Sequence, residues 1–190
     1  MTENWIQQKL KQELSQSLYR HCAGVAQTAG RLAAALNYDQ DKARLAGWLH
    51  DCAREWPAEK LMQFAQTNGI TIDKFTLRAP VILHAPVGAV LAKQWGVTDP
   101  DVLSAIARHT LGAPEMTTLE QIIYLADKIE PNRCYPGVDE LRQQAEKDFK
   151  AALIAATAKT ISFILAKRQL IHPLSISYWN WLLEVSEQGV

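Results

Sequence analysis

Cysteine is scarce in this 190-residue chain, with three in all. Cys22, Cys52 and Cys134 make no CxxC and no even set, which excludes a disulfide-stapled scaffold and fits a reducing compartment. The expected location is therefore cytoplasmic, with Cys22 and Cys52 acting as small buried hydrophobes. Net charge is also lacking, because lysine plus arginine (20) equals aspartate plus glutamate (20). No global field draws the chain to nucleic acid or an anionic membrane, and no basic stripe supports nucleic-acid binding. Any polyanion has to be recognised locally. The start Met1-Thr-Glu-Asn-Trp5 lacks the basic-then-apolar pattern of a signal peptide. No uncharged apolar run reads as long enough to cross a bilayer, since Ala151 to Ala166 is interrupted by Lys159 and too short. Repeats, low-complexity tracts and linkers are missing as well.

The residues present are those of a folded globule. At 48% hydrophobic and 21% charged, the composition argues against disorder. The length suits one domain over 1–190, with a core from about 18 to 182. Apolar residues recur at three- and four-residue spacing with few alternating β-branched runs, which predicts an all-α fold. The spacing predicts helices over about Glu3 to Leu18 and Ser17 to Leu36, then one capped by Asp39 or Asp41 and ending in His50-Asp51. Pro57 opens a helix that Gly69 closes, and Ile70 to Ala79 reads as a loop. Pro86 interrupts a helical pattern and predicts a bend near His84. Asp99-Pro100 begins a helix ending at His109, and Thr118-Leu-Glu-Gln121 resembles a capping box before Ile122 to Asp127. Turn residues follow at 133–137, then helices over about Asp148 to Leu170 and Ser175 to Glu187.

Four of the five histidines, His21, His50, His84 and His109, lie on apolar helical segments or at their ends. A buried imidazole needs partners for its nitrogens, and taken singly each is more often a satisfied core residue than a ligand. Asp51 and Asp127 occupy equally apolar stretches, where an unpaired carboxylate is costly. Divalent cations caged among these side chains satisfy all six groups at once, whereas separate structural accounts each require a hidden partner. His21, His50, Asp51 and Asp127 suffice for one ion. His84 and His109 are additional, and a bridging Asp51 joins them to a second. Nitrogen and oxygen donors without thiolate fit iron, manganese or zinc alike. Two ions roughly 3.5–4 Å apart hold a hydroxide and polarise a phosphoryl group, so phosphate-ester or anhydride hydrolysis is the expected chemistry.

The order His…His-Asp…Asp is similar to the signature of the HD-domain superfamily of metal-dependent phosphohydrolases. A closer resemblance is carried by His21-Cys-Ala-Gly-Val-Ala, Leu49-His-Asp-Cys-Ala-Arg54, Leu83-His-Ala-Pro-Val-Gly88, His109-Thr-Leu-Gly112 and Leu125-Ala-Asp-Lys-Ile-Glu-Pro-Asn-Arg133. With Tyr135-Pro-Gly-Val and Leu170-Ile-His-Pro173, these resemble the YqeK family over about Leu18 to Leu182. That resemblance implies an HD helical bundle around a di-iron centre, and a symmetrical bis(5′-nucleosyl)-tetraphosphatase that splits diadenosine tetraphosphate into two ADP. It also implies a homodimer. His21, His50, Asp51 and Asp127 would hold one iron, and Asp51, His84 and His109 the other. The bridged hydroxide would attack an inner phosphorus, with Asp51 and Arg54 as catalytic residues. Arg54 departs from the lysine common in the family; it keeps the charge but donates a proton less readily. Arg54, Lys128 and Arg133 are nominated for the polyphosphate. Thr110 and Gly112 either let backbone amides approach a phosphate or simply stop a helix. His172 reads as structural, and the tryptophans as core or dimer contacts. Two rivals remain open: another HD nucleotide phosphohydrolase or phosphodiesterase, and a non-catalytic nucleotide-binding module. The second is expected to have lost ligands, and this chain keeps all six.

Overall fold

Short polar side chains start seven of the eleven α-helices among the described residues. Thr2, Ser15, Asp39, Asp73, Asp99, Thr117 and Asp148 each accept a backbone amide of the turn that follows, satisfying donors a helix cannot pair internally. The computed structural model describes residues 2–187. Among these, α1 (Glu3–Glu13), α2 (Gln16–Ala35), α3 (Gln40–Leu49), α4 (Ala58–Thr67) and α5 (Lys74–Arg78) lead to a 3₁₀ turn at Pro80–Leu83. Then come α6 (His84–Gln94), α7 (Pro100–Arg108), α8 (Thr118–Ile129), α9 (Val138–Lys147), α10 (Phe149–Ala166) and α11 (Pro173–Glu187), with no strand among the described residues. The all-α expectation is borne out.

The fold turns on α8. Leu119, Ile122, Ile123 and Ala126 face a core built with α1, α2, α3, α6 and α7. Tyr124, Leu125 and Ile129 face the opposite way, into a second core with Leu141, Leu153, Ala156, Tyr178 and Leu182. Apolar on both sides, α8 is enclosed, and it carries Asp127 inward with it. A smaller cluster of Ala53, Leu61, Ala65, Leu83 and Val87 seats α4 beneath the 3₁₀ turn. Helices α2 and α3 approach closely at Gly47, where a Cβ would lie 2.7 Å from the Ala26 Cα. That approach brings His21 on α2 alongside His50 at the end of α3.

Several sequence expectations require correction. The first helix stops at Glu13, not Leu18, because Ser15 caps α2 there. Segment 70–79 is not wholly loop: Asp73 and Thr76 form a capping box that starts α5. The box before α8 is Thr117 with Glu120, one residue earlier than expected. Helix α9 was absent from the expectation, its polar composition hiding the two buried residues Val138 and Leu141. Pro86 does not bend a helix interior. It sits in the first turn of α6, where no intrahelical amide bond is lost, and the winding changes from 3₁₀ to α at His84. Helix α10 is long and apolar enough to cross a membrane by length and composition alone, contrary to the reading of Ala151 to Ala166 as too short. Its first half buries Ala152, Leu153 and Ala156, while Phe163 and Leu165 near its end are each 60% exposed.

Candidate metal centre and its cleft

Three of the four histidines stand where helical winding ends or changes, and the local backbone dictates how each ring is held. His50 and His109 are the C-terminal caps of α3 and α7, and His84 opens α6 after the 3₁₀ turn. The last carbonyls of a helix have no intrahelical donor. Each ring reaches a carbonyl three residues back: His50 Nδ1 donates to Gly47 O at 2.7 Å, His109 Nδ1 to Ile106 O at 2.8 Å, and His84 Nδ1 to Val81 O, which also accepts the His84 backbone amide. A carbonyl only accepts, so these rings carry their proton on Nδ1 and turn a bare Nε2 inward.

Those inner nitrogens crowd together with carboxylate oxygens. His21 Nε2 lies 3.1 Å from His50 Nε2, 3.1 Å from Asp127 Oδ1 and 3.7 Å from Asp51 Oδ2. His84 Nε2 lies 3.1 Å from His109 Nε2 and 3.0 Å from Asp51 Oδ1. His21, His50 and Asp51 form one potential ion-binding group, and Asp51, His84 and His109 a second. Asp51 belongs to both. His50, Asp51, His84, His109 and Asp127 are buried, and Asp51 Oδ1 has no hydrogen-bond partner. Lone pairs this close repel unless positive charge lies between them, and nitrogen and oxygen donors so placed are the donor set of a divalent cation, which would supply it.

The electrostatics agree. Burial works to raise the Asp51 carboxyl, but His50, His109 and His84 override it and hold it well below the usual range. Burial likewise opposes ionisation of Asp127, yet Lys128, His21, His50 and Arg133 keep it well below. For His109, burial dominates and pushes the ring down to about 4 despite Asp51, so it is neutral and ready to ligate. Burial also lowers His50, but there Asp51 and Asp127 prevail and the net direction is upward.

The cluster floors a cleft of about 590 Å³ whose walls include Arg54, Arg78, Thr110, Lys128 and Arg133 among cations and hydroxyls, and Phe75, Val81, Phe163 and Leu170 among apolar groups. Thr110 Oγ1 is 3.1 Å from both His84 Nε2 and His109 Nε2. Lys128 Nζ reaches Asp127 Oδ2 at 2.8 Å, and Arg133 Nη2 reaches Asp127 Oδ1 at 2.5 Å.

A family model for the HD domain matches residues 18–132. The symmetrical bis(5′-nucleosyl)-tetraphosphatase of Bacillus subtilis (strain 168) is 42% identical over 93% of this chain and 95% of that protein. The same-named protein of Staphylococcus aureus (strain NCTC 8325 / PS 47) is 33% identical over 90% and 89%. The chain belongs to the HD-domain symmetrical bis(5′-nucleosyl)-tetraphosphatase family. A crystal structure of a predicted HD superfamily hydrolase involved in NAD metabolism, from Clostridium acetobutylicum, superposes with a TM-score of 0.93. It shares 40% identity and covers 97% of this chain and 98% of that one.

Within this HD fold, the six nominated ligands come together as two adjoining groups that share Asp51, and Arg54, Thr110, Lys128 and Arg133 all line the cleft beside them. Gly112 does not. It adopts φ +69° with the Tyr178 ring against its Cα, so it stops a helix and packs an aromatic. His172 bonds to Asp73 Oδ2 at 2.9 Å through Nε2 and accepts from the Leu174 amide through Nδ1, which satisfies both nitrogens at the cleft rim. Sequence reasoning missed three residues. Arg78 and Phe163 carry no local signal, since their position depends on α5 and the end of α10 folding over the site. Glu130 had one: a carboxylate three residues beyond Asp127, at a helix end rich in apolar residues.

Proposed function

We propose that this protein is a metal-dependent phosphohydrolase that splits diadenosine tetraphosphate symmetrically into two ADP. One observation carries the reading: four imidazoles, each with its outer nitrogen already hydrogen-bonded, and two carboxylates meet at the floor of a cationic cleft. Relatives named for this activity share up to 42% of residues over nearly the whole chain, which supports the choice of substrate.

Two divalent cations fit the donor set, iron by resemblance, with manganese or zinc also compatible. His21, His50, Asp51 and Asp127 would hold one, and Asp51, His84 and His109 the other. When bound, such ions lower the pKa of water and draw charge off a phosphoryl oxygen. The other duties fall to the chain. Arg54, Lys128 and Arg133 bind the polyphosphate, Arg54 from the exposed lip of the cleft and the other two from beside Asp127. Arginine suits this task because its planar fork meets a phosphate through two parallel bonds. The hydroxyl of Thr110, between His84 and His109, orients an oxygen at that end of the site. Phe75, Val81, Phe163 and Leu170 offer apolar surface at the mouth to a nucleoside, so one half of the substrate is seated while the phosphates reach the floor. Burial of the floor strengthens every one of these charge interactions relative to water.

The deciding experiment is product analysis. Purified protein supplied with manganese or iron and diadenosine tetraphosphate should yield ADP alone by ion-exchange chromatography, and His50→Ala should yield none. AMP plus ATP as products would replace this reading with an asymmetrical hydrolase. Nucleotide binding without turnover would make the protein a binding module.

A further inference from the structure

Three of the four histidines are held by backbone carbonyls at the ends of helical segments, and His21 is held differently. It lies inside α2, where the carbonyls three and four residues back are already engaged in the helix. No free acceptor exists locally, and the outer edge of this ring is turned to one elsewhere. It finds Glu130, at the C-terminal cap of α8. Glu130 Oε1 accepts from His21 Nδ1 at 3.1 Å. Its other oxygen accepts from the Asn132 backbone amide at 2.7 Å and from the Asn132 side chain at 2.8 Å. The residue is 1% exposed. A carboxylate so deeply placed has to be fully partnered, and here every partner is a donor.

Space for it comes from α2 itself. A Cβ on Gly24 would lie 2.3 Å from Glu130 Oε2 and 3.2 Å from Asn132 Nδ2. Glycine is unfavourable in a helix interior, yet this one is needed because the carboxylate occupies the place of its missing side chain. His21 and Gly24 are three residues apart, on one face of α2, so ligand and gap stand side by side under Glu130.

We infer that Glu130 is the positioning residue of the metal centre, fixing His21 as the tautomer whose bare Nε2 faces the cation, and that Gly24 is the gap that admits it. This rests on the metal reading above. A carboxylate behind a ligating imidazole both orients the ring and raises its basicity, and His21 is the one ligand of the four histidines given that partner. Glutamine has nearly the same shape but cannot do the same work. If its oxygen stays with Asn132, its NH₂ turns to His21 and Nδ1 must accept, which moves the ring proton to Nε2, toward the cation. If its oxygen turns to His21, its NH₂ meets the donating amide of Asn132.

The test reads the ring directly. In metal-free protein labelled with ¹⁵N-histidine, two-bond ¹H–¹⁵N correlation spectra should show His21 protonated on Nδ1, and Glu130→Gln should shift it toward Nε2–H. Calorimetric titration with Mn²⁺ should show affinity on the order of 10–100-fold weaker in the variant. Gly24→Ala guards against a folding artefact, since alanine favours the helix while its methyl displaces the carboxylate. It should lose Mn²⁺ affinity without losing helicity. A folded Glu130→Gln or Gly24→Ala protein with the wild-type tautomer and wild-type affinity would overturn the assignment. Wild-type protein that takes up no Mn²⁺ while showing His21 as Nδ1–H would instead overturn the metal reading, and this one with it.

Discussion

Asp51 and His84 meet end to end, with Oδ1 3.0 Å from Nε2 and no hydrogen-bond donor on that oxygen. The other oxygen of the same carboxylate faces His21 and His50 at 3.7 and 3.6 Å. One side chain therefore spans two groups of imidazoles that come from four different segments of the chain. Its position just after the cap of α3 makes this possible, because the backbone there leaves the helix while the side chain stays buried.

Removing the charge of Asp51 should affect both halves of the site. Asp51→Asn keeps the shape and is expected to leave less than one metal per chain and to lower kcat/KM by about a thousandfold or more. The several kcal/mol that a metal centre contributes to phosphoryl transfer correspond to a loss of that size. His84→Ala should be milder in metal content, losing one equivalent and keeping the other. Elemental analysis of both variants beside their kinetics checks this, and equal metal content in the two would contradict a bridging role.

Among the three cations assigned to the polyphosphate, Arg54 is the one to separate substrate binding from metal binding. Lys128 and Arg133 are tied to Asp127, so changing either disturbs a ligand. Arg54→Ala should keep its full metal complement and lose roughly 10–100-fold in kcat/KM, chiefly through KM. That range follows from about 1.5–3 kcal/mol for a hydrogen bond to a charged group. Arg133→Ala should lower metal content as well. Steady-state kinetics with metal analysis separates the two cases.

The site was more legible in the sequence than its surroundings. His50-Asp51 and His109 fall at helix ends marked by apolar periodicity, and His21 and Asp127 fall on apolar stripes, so their inward direction followed from helical spacing. The missing elements were those without such spacing. Helix α9 is mostly polar and buries Val138 and Leu141 near its start, so its pattern is that of a solvated segment. Helix α5 has five residues and depends on the Asp73–Thr76 capping box rather than on hydrophobic pattern. Phe163 and Arg78 reach the cleft because separate helices fold over it, a relationship of tertiary packing that no local spacing encodes. Glu130 lay in plain view beside Asp127, but its role depends on a gap at Gly24, more than a hundred positions away.

Asp73 provides a pH probe at the rim that is independent of the metal ligands. Its carboxylate accepts the amides of Thr76 and Phe75 and meets His172 Nε2. The Thr76 amide, then the His172 and remaining Thr76 bonds, lower its pKa to about 2. A depressed carboxyl pKa means that the stabilisation is fully present above the unfolded value near 3.9 and disappears as pH falls through the folded one. The α5 cap and the tie to His172 should thus hold down to about pH 4 and open between about pH 4 and 2. A ¹³C carboxyl titration of Asp73 should show a midpoint near 2, and Asp73→Asn should remove the transition. A midpoint at the ordinary aspartate value would show that these bonds do not persist in solution.

Metal removal tests the floor of the cleft as a whole. Four bare imidazole nitrogens and two carboxylates, each within about 4 Å of a neighbour in the set, repel unless protons or cations intervene. Protonating the cluster is opposed by burial, as His109 shows. A cation that binds only the folded chain stabilises it by mass action, about 2.7 kcal/mol at a free concentration of 100 Kd. For a chain of this length that corresponds to a rise in Tm of roughly 5–10 °C. Adding Mn²⁺ to chelator-treated protein should produce that rise, whereas Ca²⁺, which prefers oxygen ligands, should produce little. His50→Ala and Asp51→Asn should respond weakly to either ion. If Mn²⁺ left the wild-type Tm unchanged, protons alone would have to hold the cluster together, and the protein should then lose stability as pH rises through the pKa of its shared protons. Differential scanning fluorimetry across pH, with and without Mn²⁺, distinguishes the two.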